Sequence, residues 1–86
     1  MGFFANMLAN GTRKAMMRYY KILKYENPGM DEEWYIQKAL SLRFKSWSEM
    51  EISYFTIDCN TLDQLSEKII YYESNGLVSK YGFKRV

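Results

Sequence analysis

Basic side chains at helical spacing are the strongest chemical signal in this chain. Lys14, Arg18 and Lys21 recur at i, i+4 and i+7, so a helix would align them in one stripe. Arg13 and Lys24 lie at the border of that stripe. A row of ammonium and guanidinium groups binds phosphates or an acidic protein surface. The alternative is a solvated helix face whose charges only balance the acidic part of the chain.

The charges are also sorted along the chain. Residues 1–25 carry five basic side chains and no acid, and all ten acids fall between Glu26 and Glu73. The C-terminal end is basic again, so it forms a second candidate patch with Lys80, Lys84 and Arg85. A chain of net charge +2 can therefore present a cationic face to a negative partner or to its own acidic middle.

Residues that could support catalysis are scarce. The chain has no histidine, which excludes a serine triad, a zinc finger and a two-histidine metal site. Cys59 follows Asp58, whose charge disfavours a thiolate, so we expect a structural cysteine. The cluster at residues 31–33 is expected to start a helix, and no glycine-rich phosphate loop is present. We therefore expect no catalytic residue, no metal and no cofactor, and we interpret the protein as not an enzyme.

Two helices are predicted in the first half of the chain. Residues 12–25 have helical period, and the basic stripe lies opposite an apolar face formed by Met16, Tyr19, Tyr20 and Leu23. Residues 3–8 can extend this helix N-terminally across Asn10-Gly11. After the turn at residues 27–29, the carboxylates at residues 31–33 favour the start of a second helix that runs to about Phe44.

The second half is predicted as strand, helix, strand. Residues 50–59 have the Ile, Tyr, Phe and Thr content of a strand, although Ser46 and Glu49 could form a helix capping box. Thr61 with Gln64 fits a capping box for a helix over residues 61–74, and Asn75-Gly76 fits its left-handed end. Residues 77–83 alternate with a period of two, which predicts a final strand. A right-handed crossover makes this strand a parallel neighbour of the first, or leaves room between the two for a strand from elsewhere.

The predicted fold is a single small α+β domain over residues 1–86, with two N-terminal helices followed by the strand-helix-strand unit. The alternatives are an all-α fold and a winged-helix-like fold. Two strands form a poor sheet in water, so pairing across a subunit boundary is expected. Aromatic residues make up 17% of the chain, which is more than one small core needs and also favours a homo-oligomer.

One segment resembles a known family. The sequence YYESNGLVSK, residues 71–80, is similar to the end of the recognition helix and the start of the wing in winged helix-turn-helix regulators. The resemblance implies a DNA-reading helix over residues 61–74. That helix, however, carries Asp63, Glu67 and Glu73 against Lys68 alone, and a complete wing needs a second strand before the chain ends.

These observations favour an intracellular, cytoplasmic interaction module that binds a protein partner and self-associates. The single cysteine cannot form an internal disulfide, and no segment has the length of a transmembrane helix. The alternative is a nucleic-acid-binding regulator that uses the stripe, its border residues and the C-terminal patch. A third possibility is adsorption to a membrane surface through Phe3, Phe4 and Leu8.

Overall fold

The computed structural model describes the backbone of residues 3–84 and the side chains of residues 11–84. Over this range the chain forms four helices and one short antiparallel hairpin, which is compatible with the predicted small α+β fold. In chain order the elements are α1 (Phe3–Glu26), α2 (Glu32–Arg43), α3 (Glu49–Phe55), α4 (Leu62–Ser74), β1 (Val78–Ser79) and β2 (Gly82–Phe83).

Helix α1 is the longest element and packs against both α2 and α4. The predicted helix over residues 12–25 is confirmed, and so is its extension across Asn10-Gly11. Met16 and Leu23 are buried on its inner face, and Tyr19 and Tyr20 are half-buried beside them. At 1.5 Å per residue, its 24 residues span about 36 Å.

Helix α2 supplies the centre of the core. Asp31 is its N-cap residue, and Glu32 and Glu33 lie in the first turn, where the helix end is electropositive. Ile36, Ala39 and Leu40 are completely buried. The predicted start of this helix at the acidic cluster is therefore confirmed.

The predicted strand over residues 50–59 is wrong, because this segment begins with helix α3. The Ser48 hydroxyl accepts a hydrogen bond from the Glu51 amide (3.2 Å), and the Glu51 carboxylate accepts one from the Ser48 amide (2.9 Å). This capping box satisfies two amides that would otherwise lack partners. It lies two residues beyond the Ser46 and Glu49 pair that the sequence suggested. Burial of Ile52 and Phe55 on one face of the helix outweighs the strand propensity of the segment.

Helix α4 confirms the prediction for residues 61–74. Thr61 and Gln64 form the expected capping box, and Leu65 and Ile69 are fully buried. The helix ends at Asn75, and Gly76 follows with φ 69°, a left-handed conformation that glycine adopts without steric cost.

Residues 77–83 form a hairpin rather than the single predicted strand. β1 pairs antiparallel with β2, so that Val78 lies opposite Phe83 and Ser79 lies opposite Gly82. The predicted parallel strand pair is therefore wrong, and the second strand after α4 lies within the chain. Since the hairpin supplies its own partner strand, the incomplete sheet no longer argues for association between subunits.

The hairpin is anchored by groups outside the sheet. The Trp47 indole Nε1–H donates to the Ser79 carbonyl (2.8 Å), and the Glu51 carboxylate accepts from the Phe83 amide (3.2 Å). Two residues per strand are too few for a hairpin to persist alone in water. These two bonds and the burial of Val78 therefore hold it on the core.

We expect Ile69→Ala to lower the free energy of unfolding by about 2–5 kcal/mol, because the side chain is 0% exposed and its loss leaves a cavity. Ile57→Ala is the matched control, since Ile57 is 81% exposed and its truncation should cost less than about 0.5 kcal/mol. Urea denaturation followed by circular dichroism measures both. Equal losses in the two variants would show that the inner face of α4 is misassigned.

Substitution of two glycines should have opposite effects. Gly82 has φ 131°, and a Cβ there would lie 2.6 Å from Glu51 Oε2, so Gly82→Ala should destabilise the protein by about 1–3 kcal/mol. Gly11 lies within α1 with open space around it, so Gly11→Ala should stabilise by about 0.5–1 kcal/mol. Thermal unfolding checks the sign of each change, and a stabilising Gly82→Ala would contradict the hairpin geometry.

Candidate binding site

The basic stripe lies on the outer face of α1, as predicted. Lys14, Arg18 and Lys21 are exposed, and they make no ion pair or hydrogen bond with any side chain of residues 11–84. With Arg13 they surround a shallow depression whose apolar floor is Met17, which is 43% exposed. We call Lys14, Met17, Arg18 and Lys21 the basic face.

Arg13 lies at the border between α1 and α4. Its guanidinium Nη2 is 2.9 Å from Glu67 Oε1, and both side chains are about half-exposed or more. The pair joins residues that are 54 positions apart in sequence. An exposed pair of this kind adds little to stability. It does mark the place where the basic face meets the surface of α4.

Lys24 is directed toward the junction of α1 with α2. Its ammonium lies 4.8 Å from the ring centre of Tyr20 and 5.6 Å from that of Tyr35. The Tyr20 side chain, as the main cause, raises the pKa of Lys24 above its usual value. Lys24 therefore interacts with aromatic rings of its own chain, and we leave it out of the basic face.

The second predicted patch is only partly described. Lys80 lies over the ring of Tyr81 at 5.1 Å, and Lys84 is exposed at the end of the hairpin. Arg85 lies outside the described residues, as do the side chains of Phe3, Phe4 and Leu8. No hydrogen bond, ion pair or ring contact in the described part of the chain joins Lys80 or Lys84 to the basic face.

The outer surface of α4 is acidic. Asp63 and Glu67 are exposed one helical turn apart, and Tyr71 follows one turn later with 61% of its side chain in solvent. We call these three residues the acidic face. A surface of this charge repels a DNA backbone. The DNA-reading role that the winged-helix resemblance implies for this helix is therefore not supported by its surface.

Lys68, the basic residue of α4, binds groups of the α3 end within the same molecule. Its ammonium donates to the Phe55 carbonyl (2.8 Å) and to Asp58 Oδ1 (2.7 Å), and the side chain is 16% exposed. The contact caps the C-terminal end of α3, where positive charge is favourable. It also lowers the pKa of the Asp58 carboxyl. Lys68 therefore does not offset the acidic face.

Cys59 is a buried thiol at the start of the segment that leads into α4. Burial is the main cause that raises its pKa, and the charge of Asp58 raises it further. Its Sγ contacts the Phe55 carbonyl at 3.9 Å and Asp58 Oδ1 at 3.8 Å. A buried thiol with a raised pKa is a poor nucleophile. The structure therefore places Cys59 where the sequence predicted, in a structural role.

The remaining acidic cluster also has a structural role. Asp31 is the N-cap residue of α2, and the Glu32 carboxylate accepts a hydrogen bond from the Tyr20 hydroxyl at 2.6 Å. Within residues 11–84 no group of three metal-ligating side chains comes together. Among the described helices, none combines the length and apolar character needed to cross a bilayer.

Sequence reasoning missed the exposed apolar residues that lie near the charges. The helical pattern of residues 12–25 gives no role to Met17, and Tyr71 enters only through the winged-helix resemblance of residues 71–80. A second exposed row, Met50, Tyr54 and Ile57 on and just after α3, was hidden by the strand prediction. Their spacing at i, i+4 and i+7 reveals one face only when the segment is treated as helical.

The buried position of Cys59 has a measurable consequence. We expect a thiol reagent to label the native protein many-fold more slowly than the urea-unfolded chain at the same pH, because the thiol is shielded and its pKa is raised. A folded-state pKa above the unfolded one also means that stability contributed by this group is lost as pH rises into the alkaline range. Cys59→Ala should remove that part of the alkaline loss. Equally fast labelling of native and unfolded protein would contradict the burial.

Known proteins offer no relationship from which a function can be transferred. No family model matches the chain, and no curated protein or solved structure is similar enough to indicate a common origin. The winged-helix resemblance therefore rests on residues 71–80 alone.

Proposed function

We propose that this protein is a non-catalytic interaction module that binds an acidic protein surface through the basic face of α1. The observation that carries the proposal is that Lys14, Arg18 and Lys21 surround an exposed methionine and pair with no described side chain. Other cations contact carboxylates or aromatic rings of the same molecule, namely Arg13, Lys24, Lys38, Arg43, Lys68 and Lys80. The basic face is thus the place where unpaired positive charge is concentrated.

Met17 adds an exposed apolar surface to the basic face. Exposed ion pairs alone contribute little to binding because water and salt screen them. An apolar centre excludes water from the surrounding charges, and burial of the exposed 43% of Met17 contributes about 0.6–1.3 kcal/mol. A methionine floor with a cationic rim therefore fits an apolar or aromatic side chain flanked by carboxylates.

An acidic protein fits this face better than a nucleic acid does. Lys14 to Lys21 covers about 10 Å along the helix, which is enough for only a few phosphates. Glu67 lies immediately beside the basic face through its contact with Arg13, and Asp63 lies one turn further along α4. An extended phosphate backbone on α1 would meet these carboxylates.

The test is a fluorescence anisotropy titration with a labelled poly-glutamate peptide and a labelled DNA duplex at low and at physiological salt. Lys14→Glu, Arg18→Glu and Lys21→Glu are combined in one variant. The matched control changes the net charge by the same amount elsewhere, with Lys38→Glu, Lys45→Glu, Ser41→Glu and Ser46→Glu at exposed positions outside both patches. We expect the first variant to bind the peptide at least about tenfold more weakly than the wild type, and the control to retain most of the affinity.

Two outcomes contradict the proposal. Equal loss in both variants would mean that only net charge matters and that α1 has no special role. Tighter binding of the DNA duplex than of the peptide, lost in the α1 variant, would instead support the nucleic-acid alternative. Thermal unfolding of each variant should remain close to that of the wild type, because these side chains are exposed.

A further inference from the structure

The basic face and the acidic face lie next to each other on one molecule. Arg13 on α1 and Glu67 on α4 touch at the border between them, with 2.9 Å between Nη2 and Oε1. Each face has an exposed apolar side chain with charges beside it. The charges are all positive on the basic face, whereas on the acidic face Lys68, which pairs with Asp58, lines the same depression as Asp63 and Glu67. On the basic face the apolar residue is Met17, and on the acidic face it is Tyr71.

The two faces are complementary in chemistry. Lys14, Arg18 and Lys21 repeat along α1, and Asp63 and Glu67 repeat one turn apart along α4. The exposed Tyr71 ring suits a methionine floor, because thioethers make favourable contacts with aromatic rings. The cations around that floor can also contact the ring face. The acidic face therefore has the features that the proposed function requires of a partner.

We propose that the occupant of the basic face is a second copy of this chain, bound through its acidic face. This inference rests on the proposed function and names its partner. In the resulting dimer α1 of each copy packs on α4 of the other, so the same contact occurs twice. Doubling the contact compensates for the small size of each face.

The position of the faces favours a closed dimer. Because they adjoin at the Arg13–Glu67 pair, a two-fold axis near that pair brings each basic face onto the partner copy's acidic face at the same time. Faces on opposite sides of the molecule would instead propagate into a filament. Four helices, α1 and α4 from each copy, would form the interface.

The exposed row on α3 is the rival surface for self-association. Met50 and Ile57 are the most exposed of its residues, and Tyr54 lies between them. An apolar row of this kind can pack on its own counterpart in a second copy, whereas the basic and acidic faces also offer opposite charges. The test therefore includes it as a separate variant.

The experiment is a charge-swap measured by sedimentation velocity over a range of concentrations. The basic-face variant carries Lys14→Glu, Arg18→Glu and Lys21→Glu, and the acidic-face variant carries Asp63→Lys and Glu67→Lys. Each variant alone should dimerise at least about tenfold more weakly than the wild type, because both contacts then join like charges. An equimolar mixture should recover a heterodimer, since both contacts again join opposite charges.

Three further variants sharpen the test. Tyr71→Ala should weaken the dimer without changing its charge, and Ile57→Ser should leave it unchanged. One chain with Lys38→Glu, Lys45→Glu, Ser41→Glu and Ser46→Glu has the same change in net charge as the basic-face variant, and it should also leave the dimer unchanged. Circular dichroism confirms that each variant is folded, which we expect because loss of the exposed Arg13–Glu67 pair costs little.

The outcomes separate this inference from the proposed function. A wild type that stays monomeric, or a mixture of the two reversed variants that forms no heterodimer, overturns the dimer. If poly-glutamate still binds α1 in that case, the proposed function stands with a different acidic partner. If neither the peptide nor a second copy binds, both fail. Loss of the dimer in Ile57→Ser with retention in both reversed variants would place the interface on α3.

Discussion

The Trp47 indole holds the C-terminal hairpin and the end of α2 in one core. Its ring is stacked on Phe44 with 4.3 Å between centroids and meets the edges of Phe55 and Phe83 at 5.3 and 5.1 Å. Its Nε1–H donates to the Ser79 carbonyl at 2.8 Å. The Trp47 side chain therefore contacts α3, both strands of the hairpin and the loop that follows α2. A hairpin of this length has no independent stability, so its position depends on this ring and on the Glu51 carboxylate.

The parts of the fold that followed from sequence are those with strong local signals. Helices α1 and α4 have clear apolar periodicity, and α2 has the acidic start at residues 31–33. Helix α4 also has the Thr61–Gln64 capping box and the stop at Gly76. Helix α3 did not follow, because seven residues rich in Ile, Tyr and Phe have the composition of a strand. The Ser48–Glu51 capping box is a local helix signal, but burial of Ile52 and Phe55 against distant residues, which the strand composition does not reveal, completes the case for a helix. The hairpin was missed for a similar reason, since two residues per strand give too short a period to separate one strand from two.

The sequence predicted which charged residues form the candidate site, but not which of those charges contact other groups within the fold. Spacing alone placed Lys14, Arg18 and Lys21 on one exposed face. It could not show that Arg13 pairs with Glu67 or that Lys24 stacks on aromatic rings, because the partners lie on other elements. The role of Lys68 was equally hidden, and its inward position is what leaves the outer surface of α4 acidic. The surface pattern is therefore a property of the packed helices rather than of any one segment.

The contact between α1 and α4 also has a consequence for synthesis of the protein. The residues of α1 that pack on α4 are translated about fifty positions before the helix that covers them, as the separation of 54 between Arg13 and Glu67 shows. At 5–20 residues per second this interval lasts about 3–11 s on the ribosome. During that time the aromatic side of α1 has only α2 to pack against. A pause in translation before α4 would therefore prolong the time for which this face of α1 lacks its second packing partner.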